Sequence, residues 1–212
     1  MTTAPERGTD PLVVRSVDFL GPMAAPGGWR PESSLPEVAF AGRSNVGKSS
    51  LLNTLVRRKK LARVSNTPGR TREINFFAIN ERFTLVDLPG YGYARVSKSR
   101  QAEWRPLIEN YLSTSRELRG VVQLLDARHD PTADDFTMLD FLADLGAPTL
   151  VAATKVDKLR PSARAGRLAA LAEASGIPAE QIIPFSAVTG EGRDELAEAI
   201  VDLVSRPSWR HD

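Results

Sequence analysis

Residues 42–49 read GRSNVGKS, and this octapeptide constrains the chain more than any other stretch. It matches G-x-x-x-x-G-K-[ST], a pattern that has its mechanical meaning only where a strand turns into a helix. The flanks supply that junction. PEVAFAG (36–42) is a short apolar run ending in glycine, and KSSLLNTLV (48–56) carries its leucines at helical spacing. Gly42 and Gly47 permit backbone shapes that a side chain would obstruct. Backbone N–H groups and the helix N-terminus then face an anion. Lys48 adds charge at the outer phosphates of a nucleotide, and the Ser49 hydroxyl is placed to ligate Mg²⁺.

The rest of the chain alternates strand and helix. INFFAIN (74–80) and RFTLVDL (82–88) flank Asn80-Glu81 and read as a hairpin. Residues 99–113 read as a helix that Pro106 should kink or restart. Three strand–helix pairs follow: GVVQLLDA with TADDFTMLDFLADLG, PTLVAATK with SARAGRLAALAEAS, and QIIPFSA with GRDELAEAIVDLVSR. Continuous apolar strands separated by amphipathic helices predict an α/β fold: a mostly parallel six-stranded sheet with one antiparallel edge strand and helices on both faces, three layers in all. Residues 1–14 are expected to be a flexible tail, 15–206 a single domain and 207–212 a C-terminal tail, with 21–36 a Pro/Gly-rich surface connection.

Ligands of such sheets bind at the carboxyl ends of the strands, and every unusual motif falls there. DLPG (87–90) ends the second run of the hairpin. Asp87 is placed to reach Mg²⁺ through water, and the Gly90 N–H to touch a terminal phosphate. By itself, Asp-x-Pro-Gly is also an ordinary turn. TKVD (154–157) ends a later strand. The Asp157 carboxylate can accept two parallel hydrogen bonds from the N1–H and amine of guanine. Adenine would leave it unpaired, at a cost of about 1 kcal/mol or more. Lys155 can lay its methylenes along the base. A solvated Lys/Asp turn is the plainer interpretation of those four residues alone. FSA (185–187) ends the last strand, where backbone N–H groups can meet the guanine carbonyl. TPGRTR (67–72) suggests a surface loop whose Thr71, or less favourably Thr67, closes on Mg²⁺ while a terminal phosphate is present; a simple loop remains the alternative.

These loops, in this order, resemble the P-loop GTPases of the TrmE–Era–EngA–EngB–septin group. GRSNVGKSSLLN, TPGRTR, DLPGYGYA, TKVDK and FSA look like its EngB branch, also called YihA or YsxC, over roughly residues 15–206. The resemblance implies a P-loop GTPase fold that binds GTP or GDP with Mg²⁺. It also implies a role in assembling the large ribosomal subunit, with contact to that subunit or its rRNA, and a need in normal cell division and septation. Carried over by position, nucleotide contacts would come from Gly42, Arg43, Ser44, Asn45, Val46, Gly47, Lys48 and Ser49, and from Gly69, Arg70, Thr71, Arg72 and Glu73. Further contacts would come from Asp87, Leu88, Pro89 and Gly90, from Thr154, Lys155, Val156 and Asp157, and from Phe185, Ser186 and Ala187. Ser49 and Thr71 would ligate the metal, and Lys48, Asn45, Thr71 and Gly90 would serve catalysis. Thr154 stands where GTPases in general have Asn, as is common in this branch.

Two motifs stay open. Tyr91 follows Gly90 where many GTPases carry a water-orienting glutamine, so weak intrinsic hydrolysis is expected, with a nucleotide-gated interaction module of negligible turnover as the alternative. Its phenol could shield the site, face a partner or simply pack. Asn45, three residues before Lys48, could ligate a K⁺ beside the phosphates or merely brace the loop. A basic stretch, RRKKLAR (57–63), suits either RNA or the dipole at the end of the first helix. Arg95, Lys98, Arg100 and Arg105 form a second basic group that a solvated face also explains.

Composition narrows the alternatives. The chain has 212 residues, no cysteine, two histidines and a net charge of +2. Disulfides and thiolate metal sites are therefore excluded, and two histidines argue against a multi-histidine centre. No apolar run is long enough to span a bilayer, and the N-terminus lacks the order of a signal peptide. A cytoplasmic monomer is expected.

Overall fold

The computed structural model describes residues 10–58, 61, 73–92 and 98–210, with side chains from Arg105 onward in the helix that begins at Lys98. The chain order is β1 (Val17–Met23), β2 (Glu37–Gly42), α1 (Lys48–Leu55), β3 (Ile74–Ile79), β4 (Phe83–Asp87), α2 (Lys98–Thr114), β5 (Leu118–Asp126), α3 (Ala133–Asp144), β6 (Thr149–Thr154), α4 (Pro161–Ser175), β7 (Ile182–Phe185) and α5 (Arg193–Ser205). Among the described residues no helix is long and apolar enough to cross a membrane.

One sheet carries the order β1-β3-β4-β2-β5-β6-β7. β4, β2, β5, β6 and β7 run parallel, while β3 is antiparallel to both β4 and β1. The sheet thus has seven strands rather than the expected six. The hairpin forms as expected, because Asn80 and Glu81 both take positive φ (52° and 56°), the geometry that matches the twist of two paired strands. The additional strand is β1, which pairs on one side only and so tolerates Pro22 and a bulge between Phe19 and Gly21. Its last three residues fall within the 21–36 stretch expected to be a connection.

The N-terminal segment is held from residue 10 onward. Leu12 is buried in the core. The Asn80 side chain accepts from the Arg15 and Ser16 N–H groups and donates to the Val13 carbonyl (2.7, 3.1 and 2.8 Å). Asp10 and Leu12 are tied to Arg193 at the start of α5.

Strand alternation separates the layers. Val38 and Phe40 of β2 pack with Leu51, Leu52 and Leu55 of α1 and Leu196 and Ile200 of α5. Ala39 and Ala41 face the other way, toward Leu107, Ile108, Tyr111 and Leu112 of α2 and Leu142 of α3. Val151 and Ala153 of β6 cover Leu171 of α4 on that second face. Of the kink or restart that the sequence suggested at Pro106, the restart is not realised: α2 runs through it as one element.

Candidate nucleotide site

The loops after β2, β4, β6 and β7 lie together at the carboxyl ends of the parallel strands, and the geometry shows how each is held. Gly47 caps α1 with φ 107°, a conformation closed to most side chains. A Cβ on Gly42 would come within 2.9 Å of Val46 and 3.0 Å of Leu124. The loop between them packs onto the sheet through Val46, which is buried. Lys48, first residue of α1, extends to the Asp87 carboxylate at the end of β4, and both side chains are largely buried. Each is the other's counter-ion, so neither charge is left bare in a poorly hydrated cleft.

The loop after β6 is fastened to the phosphate loop at two points. The buried Thr154 hydroxyl donates to the Val46 carbonyl at 2.7 Å. The Lys155 ammonium donates to the Asn45 carbonyl at 2.7 Å and to Asp126 at 2.8 Å. Asn45 and Lys155 both sit in the left-handed region (φ 66° and 62°). That backbone is costly for a lysine, and such residues concentrate at functional sites. For Asn45 it supplies a structural reason for the residue type, since asparagine tolerates this conformation better than most. Burial pushes the Asp126 carboxyl up, but hydrogen bonds from Arg128 and Lys155 outweigh it and hold the group well below the ordinary range. Asp126 is therefore a permanent anion that steers Lys155. Sequence reasoning passed over it, although its place at the end of β5 was a usable signal.

Asp157 is oriented from the loop after β7. The Ser186 hydroxyl donates to Asp157 at 2.8 Å and accepts from the Val188 and Thr189 N–H groups at 3.2 Å each. That bond, against the opposing effect of burial, lowers the Asp157 carboxyl below its ordinary value. The Ser186 N–H is already engaged with the Glu191 carbonyl at 3.0 Å. FSA thus does not present all its amides to a ligand. Ser186 instead orients the carboxylate.

Tyr91 turns inward. It is 7% exposed, its hydroxyl donates to Asp135 at 2.9 Å, and the Gln123 amide donates to its oxygen. Asp135 spends its other oxygen on the Thr132 N–H and hydroxyl, both at 2.8 Å, which caps α3. Of the three roles left open for this residue, packing is the one realised.

Other expected residues are placed as follows. Leu88, Pro89 and Val156 are buried, Phe185 is fully buried, and Ala187 and Glu73 are exposed. Thr67, Gly69, Arg70, Thr71 and Arg72 lie outside the described residues, as does Arg95. The basic stretch begins after α1 has ended at Leu55. There Arg57 pairs with Asp10 at 3.0 Å, and Arg58 donates to the Arg15 carbonyl at 2.9 Å. Arg105 pairs with Glu109 one turn along α2.

Comparison with known proteins agrees with this geometry. Residues 37–155 match the model of a family described as 50S ribosome-binding GTPase. A probable GTP-binding protein EngB from Gemmatimonas aurantiaca is 64% identical over 199 residues, spanning 94% of this chain and 98% of that protein. One of the same name from Pelotomaculum thermopropionicum is 52% identical, with 89% and 96% covered. Among solved structures, a probable GTP-binding protein engB superposes with a TM-score of 0.67 at 27% identity, covering 80% of this chain and 98% of the other. A point variant of Aquifex aeolicus Era bound to GDP.AlF4- gives 0.65 at 26% identity, covering 80% of this chain and 56% of that one. The chain accordingly belongs to the EngB family of GTP-binding proteins and is a P-loop GTPase.

Proposed function

We propose that the chain is a slow GTP-hydrolysing switch that works with Mg²⁺ in assembly of the large ribosomal subunit and is needed for normal division and septation, as a cytoplasmic monomer. The observation that carries the nucleotide reading is the double tie between the loop after β6 and the phosphate loop. Thr154 bonds Val46, and Lys155 bonds Asn45. Base recognition and phosphate binding are thereby joined in one rigid unit. Asp157 reads the guanine N1–H and amine, and Ala187 offers its N–H to the guanine carbonyl. Thr154 takes the loop-bracing place of the more usual Asn, so guanine specificity survives that exchange. The support for a ribosomal partner is the matched family's description.

The donor set fits a hard divalent cation. Ser49 would offer a hydroxyl ligand and Asp87 a carboxylate acting through water, both beside Lys48, and among the described residues no cluster of three or more His, Cys, Asp or Glu forms a cage by itself. A site of this kind leaves phosphate oxygens and water to complete the shell. When bound, Mg²⁺ neutralises charge developing on the phosphates. Of this chain's own groups, Lys48 would exchange Asp87 for the outer phosphates, which would free the carboxylate to help hold the cation. The phosphate-loop amides and the Gly90 N–H hold the terminal phosphoryl group, and Thr71 joins Ser49 in the GTP state. Lacking the glutamine, the site orients water poorly, hence slow turnover. Asn45 is exposed at the rim and is the proposed K⁺ ligand, sharing the load of charge stabilisation.

Co-sedimentation of the protein with large ribosomal subunits in the GTP-analogue, GDP and nucleotide-free states tests the switch. Nucleotide-dependent association, with hydrolysis raised by the subunits, is expected. Equal association in all three states would refute it.

A further inference from the structure

Gly90, the residue assigned to the terminal phosphate, lies between two fastened neighbours. On one side the Leu88 N–H donates to the Phe40 carbonyl at 3.2 Å. On the other, Tyr91 forms a parallel bridge with Arg43: its N–H donates to the Gly42 carbonyl at 3.3 Å and its carbonyl accepts from the Ser44 N–H at 2.8 Å. Gly90 itself lies so close to Ser44 that a Cβ would meet its backbone at 3.2 Å. The Tyr91 phenol sits below this bridge, on the α2/α3 side of the sheet. There it is held by Gln123 of β5 and by Asp135, the residue that also caps α3. Burial, and then the Asp135 charge, push its ionisation well above the ordinary tyrosine value, so it remains a donor.

We propose that Tyr91 is a positioning residue for GTP hydrolysis: its phenol, locked to Gln123 and Asp135, holds the Gly90 N–H at the place of the terminal phosphate before GTP arrives. A donor fixed in advance costs no reorganisation as charge develops. The glutamine found at this position elsewhere acts on the water, whereas this tyrosine acts on the amide next to it. Beyond residues 42–44, which the Tyr91 backbone itself engages, the phosphate loop is held from the opposite side, where Thr154 and Lys155 bond Val46 and Asn45. The proposal rests on the nucleotide reading above, and it separates GTP from GDP. GDP has no terminal phosphate for Gly90 to touch, so loss of the latch acts on GTP alone.

Tyr91→Phe removes the hydroxyl and keeps the ring. Gln123→Met removes the amide that fixes the phenol and leaves Tyr91 in place, so it reads the same effect should the first variant fold poorly. Affinities for GDP and for a non-hydrolysable GTP analogue are measured by titration, and single-turnover hydrolysis is followed alongside. In each variant the analogue should weaken about fivefold or more and hydrolysis should slow by at least as much, the scale of one lost buried hydrogen bond, with GDP affinity within about twofold of the parent. The double variant should lose little beyond either single one, because both act through one hydroxyl. Parallel weakening of GDP and analogue would mark a merely structural role and overturn the proposal, as would an unchanged analogue affinity. Failure of the parent protein to bind either nucleotide would instead overturn the nucleotide reading itself.

Discussion

Arg193→Ala should be among the most damaging single substitutions outside the nucleotide site. Arg193 opens α5 and is buried, with 4% of its surface exposed. Its Nε and one terminal nitrogen donate to the Leu55 carbonyl at 3.0 and 2.9 Å, and that same nitrogen donates to the Leu12 carbonyl at 2.7 Å. The other terminal nitrogen meets Asp194 at 2.7 Å and Asp10. One guanidinium therefore closes the C-terminus of α1, the N-terminal segment and α5 on each other. Hydrogen bonds from a charged donor contribute about 1.5–3 kcal/mol each, and a buried carbonyl left without a partner costs about 1–3 kcal/mol. These contributions overlap, and breaking a buried charged pair typically costs about 3–5 kcal/mol. That figure is the expected loss, equivalent to a fall in Tm of roughly 6–20 °C for a chain of this size. Arg57→Ala is the internal control. It also contacts Asp10, but its side chain is 60% exposed, so under about 1 kcal/mol is expected. Urea denaturation followed by circular dichroism measures both. A loss below about 1 kcal/mol for Arg193→Ala, or one no larger than for Arg57→Ala, would refute the keystone argument.

Asp157→Asn should weaken GTP by about a hundredfold or more through loss of two charge-assisted bonds, and should favour xanthosine triphosphate, whose carbonyl can accept from the new amide; unchanged GTP affinity in a competition assay would remove Asp157 from base recognition. K⁺ should accelerate hydrolysis more than Na⁺ at equal ionic strength, and Asn45→Ala should abolish the difference; equal rates in the two salts would leave Asn45 with only its backbone role. Burial, against hydrogen bonds from Ser115 and Tyr111 and the charge of Arg30, raises the Glu37 carboxyl above its ordinary value. The folded state then binds this proton more tightly than the unfolded one, so Glu37 contributes a loss of stability as pH rises from its ordinary value through the raised one. Urea midpoints taken from the ordinary carboxyl value of 4.5 up to about neutral pH should show a steeper decline on raising pH in the parent than in Glu37→Gln, and identical slopes would refute the assignment.

Much of the fold was legible because it is written in local patterns. A strand, a glycine-rich turn and a helix in series, followed by alternating apolar strands and amphipathic helices, leave few topologies open, and right-handed crossovers prune those further. The hairpin at Asn80-Glu81 and the helix ends at Gly146 and Gly192 belong to the same local chemistry. The strand–turn–helix around GRSNVGKS and the strand that ends at TKVD were legible for the same reason, since each motif is contiguous and its local structure is set by residue type at fixed spacing. β1 was hidden because an edge strand with one partner needs neither alternation nor freedom from Gly and Pro. Its register comes from β3, which lies more than fifty residues on.

What only the tertiary structure decided is which side chains answer one another across the sheet. Asp126 as the anion that steers Lys155, Ser186 as the donor that aims Asp157, and Arg193 as the tie between both ends of the domain pair residues 29, 29 and 183 positions apart. The question posed by Tyr91 belongs to this class. The sequence by itself determined that the residue after Gly90 is not a glutamine and thus that hydrolysis lacks its usual water-orienting amide. Whether the phenol faces solvent or the core was decided by Gln123 and Asp135, which lie 32 and 44 residues away. The physical reason is that a buried hydroxyl must find its donor and acceptor wherever the packed sheet and helix place them, and no spacing along the chain encodes that meeting.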